Sequence, residues 1–226
     1  MKEIKKLNNL KYNNWRTNLK ESRLKRAGRL ILSERPGRLL DIGCNCGEFS
    51  AKFLKKGWVV FGIDSAPKPI RIAKSLGINA QVADVAKRLP YKTSVFDLVF
   101  AGEVIEHIVD TTAFLKESHR VLKRGGKLIL TTPNLASLEN RLRLLLGMQP
   151  LWVDFKSELS SGHIRAYTLS ALKEQLALVG FKIEITTGNF IPFWQLRWND
   201  LTCPWLAKTG SILPSLSQSL IIKARK

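Results

Sequence analysis

The sequence predicts an α/β fold with a largely parallel sheet covered by helices on both faces. Two observations predict it. Short apolar segments alternate with helix-like segments between residues 38 and 133, the mark of βαβ crossovers. The first apolar segment also runs straight into a glycine-punctuated turn, Gly43-Cys44-Asn45-Cys46-Gly47, of the kind that links a strand to a helix beneath a ligand.

The elements follow in chain order. Residues 8–34 read as a helix, with Leu19, Arg23, Arg26, Leu30 and Ile31 at helical spacing and Pro36-Gly37 as its stop. Strands are expected at Arg38–Ile42, Val59–Ile63, Ala80–Ala83, Phe96–Ala101 and Lys127–Thr132. Helices are expected at Glu48–Lys56, Pro67–Leu76 and Thr112–Leu122. After Pro133 the pattern loosens into a helix over 134–146 and a loop over Gly147–Ser161. A further helix over Thr168–Val179 has Thr168 as N-cap and Gly180 as its stop. Phe181–Thr187 and Leu216–Lys223 read as two last strands, with the aromatic stretch Phe190–Leu206 between them unassigned.

Composition sets outer bounds. A chain of 226 residues with 45% apolar and 24% charged residues suits a globular protein of one large domain, or of a domain with a small appendage. No apolar run approaches the roughly 20 residues of a membrane span, and the lysine-rich start lacks the apolar core of a secretory signal. Cys44, Cys46 and Cys203 make no disulfide framework, so a cytoplasmic setting is expected. The formal net charge is +19, and residues 1–38 carry 12 Lys/Arg against 3 Asp/Glu. Such a surplus favours anionic partners, RNA or acidic lipid among them, or is a solvated basic surface.

The turn after the first strand defines a cofactor site. Asp41 precedes it, Asp64 ends the second strand and Asp84 the third. A carboxylate in the position of Asp64 accepts from both hydroxyls of a ribose, and Asp84 is placed to accept from an adenine amino group. A nicotinamide dinucleotide calls for G-x-G-x-x-G, whereas here an acid precedes a D-x-G-x-x-x-G turn. Asp41 would repel a pyrophosphate but suits a cationic amino-acid group, which favours S-adenosylmethionine (SAM).

After the fourth strand comes Glu103-Val104-Ile105-Glu106-His107. Positions i, i+3 and i+4 of a helical turn share one face, so Glu103, Glu106 and His107 are expected to project together. Two carboxylates and an imidazole suit a divalent cation such as Mg, Mn or Zn, with His163 as a further ligand. Without a metal, His107 or His163 could serve as general base, oriented by Glu106. Purely structural roles remain a third reading, and His119 is assigned none.

Residues 38–133 resemble the core of the class I SAM-dependent methyltransferases. Leu39–Gly47 resembles their first motif, Phe96-Asp97-Leu98-Val99 their fourth strand and Leu122–Leu128 the turn into the fifth. The resemblance implies a Rossmann-like, seven-stranded, mostly parallel sheet with the last strand antiparallel. It also implies a SAM site formed by Asp41, Gly43, Cys44, Gly47, Asp64, Ser65, Asp84 and Val85. The Glu-x-x-Glu-His element is similar to that of ubiquinone-pathway O-methyltransferases. It resembles the small-RNA 3′-end 2′-O-methyltransferases further, through Thr131-Thr132-Pro133-Asn134 and through His163 ahead of Tyr167-Thr168. That second resemblance implies a metal on Glu103, Glu106, His107 and His163.

The domain organisation expected is a basic helical cap over 1–36 and a methyltransferase domain over 37–226, with acceptor-side insertions at 134–167 and 189–214. The expected activity is O-methylation of a small molecule, a sugar or a lipid-linked phenol. Ribose 2′-O-methylation of RNA and a non-catalytic SAM-fold subunit are the alternatives. Tyr12 and Trp15 are expected to pack the first helix onto the sheet. Phe190, Phe193, Trp194, Trp198, Trp205 and Arg197 read as core or dimer packing, an acceptor wall, or a peripheral membrane contact. The oligomeric state is not legible.

Overall fold

The computed structural model describes residues 19, 21–153, 162–192 and 208–226. Tyr12, Trp15, Phe193, Trp194, Arg197, Trp198, Cys203 and Trp205 lie outside them, as do most of the expected helix before Ser22 and the last part of the expected 147–161 loop.

In chain order the elements are α1 (Ser22–Leu32), β1 (Arg38–Ile42), α2 (Ala51–Leu54), β2 (Val59–Asp64), α3 (Pro67–Ser75), β3 (Asn79–Val82), β4 (Phe96–Gly102), α4 (Thr111–Val121), β5 (Leu122–Pro133), α5 (Leu138–Leu145), α6 (Leu169–Leu178), β6 (Lys182–Gly188), α7 (Thr209–Ile212) and β7 (Ser219–Arg225). The seven strands form one sheet in the order β3-β2-β1-β4-β5-β7-β6. Strands β1 to β5 pair in parallel, and β7 inserts antiparallel to both β5 and β6. Strand order reverses at β1, which lies between β2 and β4, and this switch point opens a crevice at the strand carboxyl ends.

Successive strand residues face opposite sides of a sheet. Leu40 and Val99 therefore enter one core with Phe114, Leu128 and Leu172. Leu39 and Leu98 enter the other with Phe49, Phe53 and Ile129. The amphipathic α1 adds Leu24, Ala27 and Ile31 to the second core and packs against β5 and β7. Burying each such Leu or Ile contributes about 1.5–3 kcal/mol.

Several boundaries differ from the expected ones for local reasons. The helix expected over Glu48–Lys56 is regular only over Ala51–Leu54, because Gly47 sits at φ +73° and the chain then tightens into i→i−3 bonds at Lys56 and Gly57. The expected 134–146 helix starts at Leu138. Ahead of it, buried Asn134 spends its side chain on Ser215 O, Ser217 O and Ala136 N, and Ser137 caps the helix. The last strand begins at Ser219, after a 3₁₀ turn at Pro214–Leu216. Thr168 caps α6 as expected, and Gly180 follows the helix at φ +96°.

Candidate active site

The turn after β1 folds over the end of β2. Gly43 N and Cys44 N both donate to Ile63 O, at 2.8 and 3.0 Å. Gly43 and Gly47 both have φ +73°, a left-handed backbone that disfavours a Cβ, and each lies against a neighbour. A Cβ on Gly43 would fall 2.6 Å from Val104 Cγ2, and one on Gly47 2.4 Å from Ile78 Cδ1. Asn45 occupies the middle position at φ +49°, a conformation asparagine tolerates.

Asp41 is 3% exposed beneath this turn and accepts the Ser50 hydroxyl. Burial pushes its carboxyl up to about 7; the Ser50 bond opposes this and nearby Asp64 adds to it. At the end of β2, Asp64 Oδ2 accepts from Asn45 N at 3.0 Å and Oδ1 from Ala66 N at 2.9 Å. Burial raises the Asp64 carboxyl, partly offset by those backbone donors. Asp84 lies two residues past β3, half-buried, its Oδ1 accepting from Ala86 N at 3.1 Å. Ser65 is exposed beside Asp64, and Val85 packs partly buried on the first core. The side chain of Cys44 points away from the crevice into the second core. A Cβ on Gly62 would meet its Sγ at 2.7 Å, and burial drives its thiol pKa upward.

The acid–histidine segment departs from the expected single helical face. Only Ile105–His107 form a turn, a 3₁₀ turn, and Glu103 precedes it at φ +55°. Glu103 Oε1 accepts from Thr131 Oγ1 at 2.9 Å and lies 3.7 Å from Arg23 Nε. Glu103 is therefore tied to β5 and α1. Among the described residues the ligand atoms that converge within 4.8 Å belong to Glu106, His107 and His163.

Glu106 is 1% exposed. Its Oε2 accepts from Thr132 Oγ1 at 3.1 Å, and its Oε1 has no hydrogen-bond partner among the described residues. Burial, then the charge of Glu103, holds this carboxyl well above the usual carboxylate range. His107 Nδ1 lies 3.0 Å from Gly162 O, a carbonyl that can only accept, so Nδ1 carries the proton and Nε2 is the basic nitrogen of the neutral ring. Burial lowers the His107 pKa, the Gly162 bond opposes that, and His163 adds to it. The two imidazoles stand 4.9 Å apart, centroid to centroid, at 57°. Trp152 lies 6.0 Å beyond His163, and its carbonyl is 3.4 Å from His163 Nδ1.

Arg23, expected only as a helix position, also reaches this site. From the first turn of α1 its guanidinium reaches Thr131 Oγ1 at 3.2 Å and Glu21 at 2.9 Å, besides Glu103. The available signal was its spacing: Arg23 shares the i, i+4, i+8 stripe of buried Ala27 and Ile31, so a charge stands in an inward-facing row.

The profile of the methyltransferase-domain family matches residues 12–185. The chain is 36% identical over 103 residues to the ubiquinone biosynthesis O-methyltransferase of Xanthomonas oryzae pv. oryzae (strain PXO99A), covering 43% of each chain. It is 30% identical over 138 residues to the mitochondrial ubiquinone biosynthesis O-methyltransferase of Bos taurus, covering 54% of this chain and 37% of that one. The matches therefore span less than half the length of these relatives. Among solved structures, a Thermotoga maritima SAM-dependent methyltransferase, titled a possible histamine N-methyltransferase, superposes with TM-score 0.65 at 21% identity, covering 91% of this chain and 87% of that one. The 1,6-didemethyltoxoflavin-N1-methyltransferase of Burkholderia thailandensis, solved with S-adenosylhomocysteine, superposes with TM-score 0.59 at 17% identity, covering 91% and 79%. Such identities speak to the fold. With the family profile spanning most of the sequence and an acidic, glycine-turned strand end at the switch point of a seven-stranded sheet, this chain belongs to the class I SAM-dependent methyltransferases.

Proposed function

We propose that the protein moves the methyl group of SAM to the hydroxyl oxygen of a small acceptor: a phenol, a sugar, or a lipid- or glycan-linked form of either. One observation carries the proposal: the buried Glu106 carboxyl, with Oε1 unpartnered among the described residues, lies beside His107 and His163 where β4 leaves the sheet. The curated relatives are named O-methyltransferases of ubiquinone biosynthesis, which supports a phenolic hydroxyl.

The residues at the switch point fit SAM. Asp41 is a buried acid poised near neutrality, and a bound ammonium would favour its charged form. The second lone pairs of the Asp64 oxygens suit ribose hydroxyls, and Asp84, two residues past β3, would accept from the adenine amino group. Arg23 supplies a cation for the amino-acid carboxylate. SAM, when bound, supplies an electrophilic methyl on a sulfonium that departs as a neutral thioether.

The chain's own part is to bind, orient and deprotonate. An acceptor hydroxyl that donates to His107 Nε2 gives up its proton there as its oxygen bonds to carbon. The Gly162 carbonyl keeps the imidazole in the productive tautomer and stabilises the imidazolium formed. Glu106 and His163 bracket the same oxygen. These three residues also fit a divalent cation, one oxygen and two nitrogens, which would lower the pKa of a bound hydroxyl.

A second reading, ribose 2′-O-methylation of RNA, draws on the +19 charge and the same three side chains. Incubation with methyl-labelled SAM and a panel of catechol, 3,4-dihydroxybenzoate and short RNA separates the two. A labelled aryl ether supports the first reading and labelled ribose the second. Tight S-adenosylhomocysteine binding without label in any hydroxyl acceptor would overturn both.

A further inference from the structure

The arm that carries His163 is fastened to the turn that carries His107, and one cation does much of the fastening. Glu106 O accepts from Ile164 N at 3.0 Å and from Arg165 N at 3.2 Å. From the arm, Arg165 reaches back across the turn: Nε donates to Ile108 O at 3.1 Å and Nη2 donates to Val109 O. These two carbonyls directly follow the 3₁₀ turn at Ile105–His107, where a short helix leaves acceptors unsatisfied. The planar fork of a guanidinium matches two successive carbonyls at once, which a lysine ammonium does less well.

The far end of the arm is pinned separately. Leu135 N donates to Tyr167 O at 2.8 Å, Tyr167 Oη to Gln175 Oε1 at 2.8 Å, and Gln175 Nε2 to Thr111 Oγ1 at 2.6 Å. Two side chains span arm and turn among the described residues: His107 Nδ1 bonds Gly162 O at the start of the arm, and Arg165 reaches the turn from between that bond and the Tyr167 anchor. Its guanidinium bonds lie on the carbonyls of Ile108 and Val109, past the imidazoles, so it acts through the backbone that holds the rings.

We propose that Arg165 is a positioning residue: it locks the 162–167 arm to the 105–109 turn and so sets the spacing of the His107 and His163 rings. Its consequence for turnover rests on the functional reading above; its consequence for geometry does not. Because the backbone bonds to Glu106 O and the His107–Gly162 bond remain, removing the guanidinium loosens the arm without dismantling the sheet.

The test is nuclear magnetic resonance on histidine-labelled protein, with the three histidines assigned by His→Gln variants. Wild type shows a ring-proton Overhauser effect between His107 and His163, as a 4.9 Å centroid distance requires. In Arg165→Ala that signal is lost and the Ile164 amide exchanges at least about tenfold faster, while S-adenosylhomocysteine affinity stays within about twofold. Arg165→Lys restores part of both. On an acceptor that wild type methylates, Arg165→Ala lowers kcat about 10- to 100-fold with KM for SAM unchanged, since a misplacement near 1 Å costs that much. An unchanged ring contact and unchanged Ile164 exchange in Arg165→Ala overturn the proposal. If the alanine variant does not fold, Arg165→Gln takes its place, and wild-type ring contact in that variant overturns it equally. A wild type that methylates no hydroxyl defeats the proposed function and leaves the ring-contact result to decide on Arg165.

Discussion

Beneath the cofactor turn, the Ser50 hydroxyl donates to the Asp41 carboxylate, and both side chains are buried. Burial outweighs that bond, so Asp41 has its proton affinity raised from 3.8 to about 7. The sign of the stability effect follows. Between those values the folded protein holds a proton that the unfolded chain has released. Stability contributed by this group therefore falls as pH rises from about 4 to about 7 and is flat above. The cofactor-free protein is expected to melt at a higher temperature at pH 6 than at pH 8, with the difference reduced in Asp41→Asn. Calorimetry across that range checks it, once other titrations common to both proteins are subtracted.

Cofactor affinity runs the other way. An ammonium beside Asp41 favours the carboxylate, so S-adenosylhomocysteine binding tightens from pH 6 to pH 8. Ser50→Ala removes a hydrogen bond to the charged form, worth about 1.5–3 kcal/mol, and weakens binding about 10- to 100-fold at pH 7. Isothermal titration at three pH values measures both effects. A Ser50→Ala protein with wild-type affinity throughout would contradict the role given to this pair.

Asp64→Asn keeps an oxygen for one of the backbone donors at Asn45 and Ala66 but forfeits charge and acceptor capacity at the ribose. The expected outcome is a loss of cofactor affinity of at least about 100-fold with the fold retained, since two charge-assisted bonds are removed. Circular dichroism and titration on the same sample separate the two effects.

Gly47→Ala places a Cβ 2.4 Å from Ile78 Cδ1 on a backbone at φ +73°. The strain costs about 1–3 kcal/mol, and the turn shifts off α3. Denaturant melts are expected to show that loss, and cofactor binding should fall with it.

Glu106→Gln preserves an acceptor for Thr132 while removing a charge that burial already opposes. Stability should hold or rise, most clearly at alkaline pH, because the raised carboxyl must otherwise ionise without solvent. Cofactor affinity should stay near wild type and turnover should drop by at least about 100-fold. Assays in chelator, followed by metal add-back, then tell which chemistry the trio performs: undiminished turnover assigns it to proton transfer, and loss with recovery assigns it to a cation.

Much of this was legible in the sequence because local signals and tertiary structure agree. The parallel strands from Arg38 to Thr132 were readable as apolar runs bounded by glycines and prolines, with Asp41, Asp64 and Asp84 at or near their carboxyl ends. What was not legible depends on long-range partners. Glu103 reads as one face with Glu106 and His107 only if the segment is a regular helix. In the fold Glu103 has a left-handed backbone, and its carboxylate is held by Thr131 and Arg23 from β5 and α1. Cys44 sits in the motif yet faces the core because Gly62, on another strand, leaves room for its sulfur. The pairing of His163 with His107 crosses 55 residues through Gly162 O, a distance no periodicity encodes.

The most direct test of the cofactor assignment is a crystal structure with S-adenosylhomocysteine bound. The ribose hydroxyls are expected on Asp64, the adenine at Asp84 and the sulfur facing the His107–His163 pair. Density for the compound away from the β1–β4 crevice, or with its ribose untouched by Asp64, would contradict it.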